Sequence, residues 1–128
     1  MAAIRGKDTK PELVVRKGLH ARGLRFRLHD RRLPGSPDLI FPSRKLALFV
    51  NGCFWHAHEG CRYFKFPKTA ADKWLSKLEG NRERDGLNHA ELEAGGWRVV
   101  VVWECALRTK DSGRISTFLD ELAADIRA

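Results

Sequence analysis

The sequence predicts an α/β fold, a mixed central sheet flanked by helices, and three patterns predict it. Between Lys45 and Trp103 an apolar strand, a helix-length stretch and a β-branched strand follow one another. That is the order of a crossover unit whose two strands run parallel. Two shorter strand-like segments precede the unit, and an amphipathic helix stands at either end of the chain. At 128 residues the expectation is one domain, 1–128, able to bury a core without disulfide staples.

The elements follow in order. Thr9 can cap a first helix, Glu12 answers it three residues later as in a capping box, and Pro11 suits the first turn. Leu13, Val14 and Leu19 give that helix an apolar stripe, and Gly23 ends it. Leu24 to His29 alternates apolar and basic residues, the period of a half-buried strand with Arg25 and Arg27 on one side. Arg31 to Pro37 is a turn, Asp38 to Phe41 a short strand stopped by Pro42, and Lys45 to Val50 a strand apolar enough for mid-sheet. Thr69 is a second capping candidate, opening a helix over 70–94 that Gly80 is expected to bend or interrupt. Gly95 and Gly96 stop it, and Trp97 to Trp103 reads as a strand buried on both faces. Arg114 to Arg127 closes the chain as a third helix, giving α-β-β-β-α-β-α.

The formal net charge is +8. Residues 1–32 hold ten Lys and Arg against three Asp and Glu, whereas 111–128 hold two against four. Positive charge gathered at one end is the footprint of a nucleic-acid binder, although a solvated basic face would look the same. No run approaches the roughly 18 apolar residues of a membrane span, and a basic, polar start is unlike a secretory signal. A cytoplasmic protein without a membrane partner follows. Three cysteines cannot all pair, so they point to metal or to buried thiols.

The chemistry gathers around Leu46 to Cys61, which starts as a buried strand and ends in Cys and His side chains. Cys53, His58 and Cys61 form a compact ligand group, and Cys105 reaches the same sheet edge if its strand neighbours the third. Thiolates plus an imidazole suit a closed structural Zn²⁺ site, and spacing alone leaves open whether His56 or His58 is the ligand. Asp38, at the mouth of a β-turn-β unit, can offer oxygens to a hard cation such as Mg²⁺, though one Pro-Asp pair is commonly just a turn. A spare imidazole at His56 could take a proton from an attacking water, or be structural. Phe54 and Trp55 either pack around the loop or wedge between bases, and Trp74 adds a third ring. Lys77, Asn81 and Asp85 share one helical face, suited to base edges or simply solvated.

Taken together, Ile-Arg-Gly-Lys-Asp-Thr-Lys-Pro-Glu (4–12), Leu-Pro-Gly-Ser-Pro-Asp (33–38), Gly-Cys-Phe-Trp-His (52–56), Glu-Gly-Asn-Arg-Glu-Arg-Asp (79–85) and Gly-Trp-Arg-Val-Val-Val-Val-Trp-Glu-Cys-Ala-Leu-Arg (96–108) resemble the Vsr family. These are the very-short-patch-repair DNA mismatch endonucleases. The resemblance implies a restriction-endonuclease-like fold of the PD-(D/E)xK type with a structural Zn²⁺. It implies Mg²⁺-dependent nicking beside the thymine of a T·G mismatch left by deamination of 5-methylcytosine. Position by position, Asp38 with the main chain at Val50 corresponds to the Mg²⁺ site, and His56 to the proton acceptor near the scissile phosphate. Glu12 and Asp85 correspond to supporting acids. Cys53, His58, Cys61 and Cys105 correspond to the zinc ligands. Phe54, Trp55 and Trp74 correspond to the aromatic wedge, Lys77 and Asn81 to residues facing the mispair, and Ile4 and Arg5 to DNA-contacting positions. The implied partners are duplex DNA bearing a T·G mismatch and other mismatch-repair proteins, and the implied setting is that of a monomeric, nucleoid-associated cytoplasmic protein of bacterial type.

Three departures from the family pattern carry expectations. The spacing before Cys61 is longer by one residue, which Gly60 can absorb. Only three residues precede the Ile4 block, so an arm reaching the minor groove is expected to be short or absent. Asn51 stands where relatives commonly have Asp or His, keeping a carbonyl oxygen but no charge, and is expected to weaken Mg²⁺ binding. The competing readings are a zinc-containing mismatch- or structure-binding module without nuclease activity, and a nuclease that cuts intact duplex.

Overall fold

Side chains that alternate along three neighbouring strands build the two halves of the core. The computed structural model describes residues 9–53, 71–108 and 110–128. Helix α1 (Lys10–Ala21) is followed by β1 (Arg27–Leu28), β2 (Leu39–Phe41), β3 (Leu46–Asn51), α2 (Ala71–Ala94), β4 (Arg98–Trp103) and α3 (Ser112–Arg127). The sheet order is β1-β2-β3-β4. The first two pairs are antiparallel, and β3 and β4 run parallel with α2 between them in the chain. Among the described residues this is the mixed sheet and the order of elements that the sequence predicts.

Leu39 and Phe41, Leu46 and Leu48, and Val102 point to one face, where Val15 and Leu19 of α1 and Leu119, Leu122 and Ile126 of α3 cover them. Ile40, Ala47 and Phe49 point to the other, onto Leu92 of α2, with Trp97, Val99 and Val101 alongside. Helices on both faces are what a sheet containing a parallel crossover pair requires. Among the described residues no helix is long and apolar enough to cross a membrane.

Four expectations are corrected. On α1 the buried positions are Glu12, Val15, Gly18 and Leu19, while Leu13 is 37% exposed. A buried carboxylate stands inside the stripe and turns it away from Leu13. Helix α2 runs through Gly80 without interruption, because one glycine costs only about 1 kcal/mol in a helix anchored by packing at Leu78 and Leu92. Strand β1 is two residues long because its partner β2 has only three before Pro42, which has no N–H to donate. Finally, β4 lies at the edge of the four described strands, with Arg98 exposed, Val102 buried and the rest half-buried.

Helices α1 and α2 end alike. Gly23 and Gly96 have φ of 85° and 87°, and the next residues, Leu24 and Trp97, donate back to the carbonyls of Leu19 and Leu92. These are Schellman caps, each steering the chain toward the sheet. At Gly18 an added Cβ would lie 2.4 Å from Leu119 Cδ1, so glycine lets α1 approach α3 closely.

Candidate active site

Glu12, His29 and Asp38 converge, and each is delivered by a different device. Asp38 directly precedes β2 at the end of the Leu33–Pro37 turn. Gly35 in that turn has φ of 77°, and a Cβ there would come within 3.2 Å of both Asn88 Cβ and Phe49 Cε1. The turn therefore lies flat against α2 and β3, with Pro37 buried beneath it. At its other end the Arg32 guanidinium and backbone N–H bind Asp30 and hold that carboxyl below the usual carboxylate range. The Asp38 carboxylate is oriented from β3, where the Val50 backbone N–H donates to Oδ2 at 2.7 Å.

Glu12 comes from the first turn of α1, which Thr9 caps by accepting the Glu12 N–H at 3.4 Å. The expected capping is present, but the Glu12 side chain has a further use. It is 1% exposed, and Oε2 accepts from Arg16 Nη1 at 3.2 Å and from His29 Nε2 at 2.7 Å. A carboxylate accepts, so the imidazole Nε2–H is the donor. His29 reaches it from just past β1 in a left-handed conformation, φ 49°, while its backbone N–H donates to the Asp38 carbonyl at 3.0 Å. One donor atom each from Glu12, His29 and Asp38 lie within 4.8 Å of one another. Two carboxylates beside an imidazole suit a divalent cation, so these residues fit the metal that the resemblance implies.

The other sequence-predicted residues fall in several places. Val50 meets Asp38 through its N–H. Asn51, next along β3, is 5% exposed and pairs with Trp103 of β4. Cys53 and Cys105 each lie two residues beyond that last pair, at the same end of the sheet, with Cys53 fully buried. Adjacent parallel strands thus carry two cysteines to one end of the sheet, and thiolates are ligands that suit zinc. His58 and Cys61, the other two expected ligands, lie outside the described residues, as do Ile4, Arg5, Phe54, Trp55 and His56.

On α2, Trp74, Lys77, Asn81 and Asp85 follow one another at helical spacing, and the Lys77 ammonium sits 5.8 Å from the Trp74 ring centroid. Asn81 accepts from Arg84. Asp85 is not among the three clustered donors: α2 packs on the opposite face of the sheet from α1, which carries Glu12. His29 is the residue that reading the sequence missed. It ends a run of alternating residues and looks like the last position of a strand. Its backbone turn and its contact across to Glu12 leave no local signal.

Comparison with known proteins bears on this geometry. Residues 1–62 match the model of the family described as DNA mismatch endonuclease Vsr. The chain is similar to the type II nicking enzyme V.XorIIP of Xanthomonas oryzae pv. oryzae, with 56% identity over 107 residues, or 84% of this chain and 78% of the relative. It is 46% identical over 110 residues to the nicking enzyme V.NmeAIP of Neisseria meningitidis, 86% of this chain and 78% of that one. Against the DNA mismatch endonuclease Vsr of Escherichia coli the identity is 43% over 111 residues, 87% and 70% of the two chains. With carboxylates clustered beside a β-turn-β unit, and similarity of this extent to nucleases of one kind, the chain belongs to the Vsr family of DNA mismatch endonucleases and type II nicking enzymes.

Proposed function

We propose that this DNA nicking endonuclease cuts one strand of duplex DNA beside the thymine of a T·G mismatch, in a Mg²⁺-dependent reaction, within a single domain 1–128. The observation that carries the reading is the cluster of Glu12 and Asp38 with the Val50 N–H on Asp38. It forms an oriented, acidic corner at one end of the sheet. A relative named a mismatch endonuclease and others named nicking enzymes support both halves of it.

In this reading Asp38, with the main chain at Val50, holds the cation, and Glu12 supports it. When bound, Mg²⁺ supplies charge stabilisation at the phosphoryl oxygen and at the departing oxygen. Asp38 is kept in one orientation by the N–H of Val50, so it need not reorganise when the phosphate arrives. His56 accepts the proton of the attacking water. Phe54, Trp55 and Trp74 part the stack beside the lesion, which costs a few kcal/mol and less at a mispair. Lys77 and Asn81 then face the mispair from α2, with Asp85 as a second supporting acid. Cys53, His58, Cys61 and Cys105 hold Zn²⁺, which supplies a structural tie between the loop after β3 and the end of β4.

The test is nicking of an end-labelled duplex carrying one T·G pair, beside a matched C·G control, with and without Mg²⁺. The expected outcome is a single cut beside the T, only in the mismatched duplex and only with Mg²⁺. In Asp38→Ala the rate should fall by about two to three orders of magnitude, the several kcal/mol that an oriented cation contributes. Equal cutting of the matched duplex would replace mismatch recognition with nicking of intact DNA. Undiminished cutting by Asp38→Ala would remove the proposed metal site.

A further inference from the structure

We propose that His29 is a positioning residue for the nicking reaction: it locks the Glu12 carboxylate against Asp38 and thereby sets how tightly the site takes its divalent cation. The inference rests on the reading of Asp38 as the cation-holding residue.

Three observations carry it. First, His29 touches both carboxylate residues at once, through its ring to Glu12 at 2.7 Å and through its backbone N–H to the Asp38 carbonyl at 3.0 Å. Second, its backbone is left-handed at φ 49°, a conformation that costs a non-glycine residue about 1 kcal/mol or more and persists only where the surroundings impose it. Here the surroundings are the end of β1 pairing with β2 and the bond to Glu12. Third, Glu12 is 1% exposed. Its carboxylate has little water to orient it, and Arg16 and His29 act from different sides of the cluster: Arg16 from one helical turn further along α1, His29 from the sheet.

Arg16 shares the helix with Glu12 and can move with it. His29 belongs to the same β-turn-β unit as Asp38. It is therefore the link that fixes the distance between the two carboxylates, whichever of them touches the cation directly and whichever works through a bound water. Groups that orient the residues of a metal site in this way are commonly worth about 10–100-fold in metal affinity or activity.

The experiment measures Mn²⁺ binding to the full chain by calorimetry or by its electron paramagnetic resonance signal, in the wild type, His29→Ala, His29→Gln and Asp38→Ala. Nicking kinetics and thermal unfolding are followed on the same samples. The proposal expects His29→Ala to weaken Mn²⁺ binding by about 10–100-fold and to lower kcat while leaving the KM for DNA unchanged. Gln places an amide N–H about where the imidazole Nε2–H was, so His29→Gln should recover most of the loss. A His29→Ala protein that unfolds earlier yet binds Mn²⁺ as the wild type does would make His29 merely structural and overturn the proposal. So would a His29→Gln protein no better than His29→Ala. Binding lost in Asp38→Ala but unchanged in His29→Ala overturns the His29 proposal alone, whereas binding retained in Asp38→Ala overturns the cation reading beneath it.

Discussion

Asn51 is the residue whose chemistry departs most from the acidic corner beside it. It follows Val50, the residue that orients Asp38, and at 5% exposure it lies inside the sheet. A neutral amide is inexpensive there because its polar atoms can be satisfied; among the described residues no buried side-chain polar atom lacks a partner. Asp in its place would bring a second buried negative charge near Asp38, costly unless a cation answers it. Asn51→Asp should therefore lower the unfolding temperature in a chelating buffer and regain part of the loss when Mg²⁺ is added, since a ligand of the native state stabilises it. The Mg²⁺ needed for half-maximal nicking should fall. Identical Mg²⁺ dependence in the two proteins would show that Asn51 does not weaken cation binding. At this scale it was the resemblance of whole sequence blocks that singled out Glu12 and Asp38; capping alone gave Glu12 a structural role, and the turn pattern left Asp38 open between a turn and a cation ligand. The sequence did not show His29, whose role comes from a backbone turn and a partner seventeen residues away.

The elements show how one residue type acts in opposite ways on two helices. Gly86 lies inside α2 with nothing within 4 Å of where a Cβ would be, whereas at Gly18 in α1 a Cβ would lie 2.4 Å from Leu119 Cδ1. Gly86→Ala should stabilise the protein by about 0.5–1 kcal/mol, the ordinary cost of glycine in a helix. Gly18→Ala gains the same helix term but drives α1 from α3, and overpacking of about 1–3 kcal/mol should leave it net destabilised. Denaturant midpoints for the two variants test this directly: shifts in the same direction would mean that α1 and α3 do not touch closely at Gly18. Helix ends were legible because Thr9, Gly23 and Gly96 act within a few residues of themselves. The length of β1 was not, because a strand extends only as far as its partner does. Nor was the unbroken course of α2, since packing rather than propensity decided it.

Over the whole molecule, charge proved a coarser guide than contacts. Several arginines of the basic N-terminal third serve the fold. Arg22 reaches from α1 to Asp120 and Ser116 of α3, and Arg16 and Arg32 hold Glu12 and Asp30. A surplus of positive charge still favours DNA, but it does not mark where the DNA lies. The parallel pairing of β3 with β4 matters more, because it brings Cys53 and Cys105 to one end of the sheet. If these thiols share a Zn²⁺, removing it with a strong chelator should lower the unfolding temperature of wild type and Asp38→Ala alike. Structural zinc contributes about 10 kcal/mol or more to small zinc-dependent folds. Metal analysis finding no zinc, or unfolding indifferent to the chelator, would remove that site.

The sequence by itself determined what is local or periodic. It set the order of the elements, the parallel crossover from β3 to β4, the caps, and the family, whose blocks are read residue by residue. Tertiary structure alone decided which of those residues meet. Glu12, His29 and Asp38 lie on a helix, past a strand end and after a turn. Their convergence depends on α1 packing on the sheet through Val15 and Leu19, on Gly35 laying the turn flat, and on Val50 fixing Asp38. Each of these is a contact between segments distant in the chain, and neither periodicity nor propensity specifies such a contact.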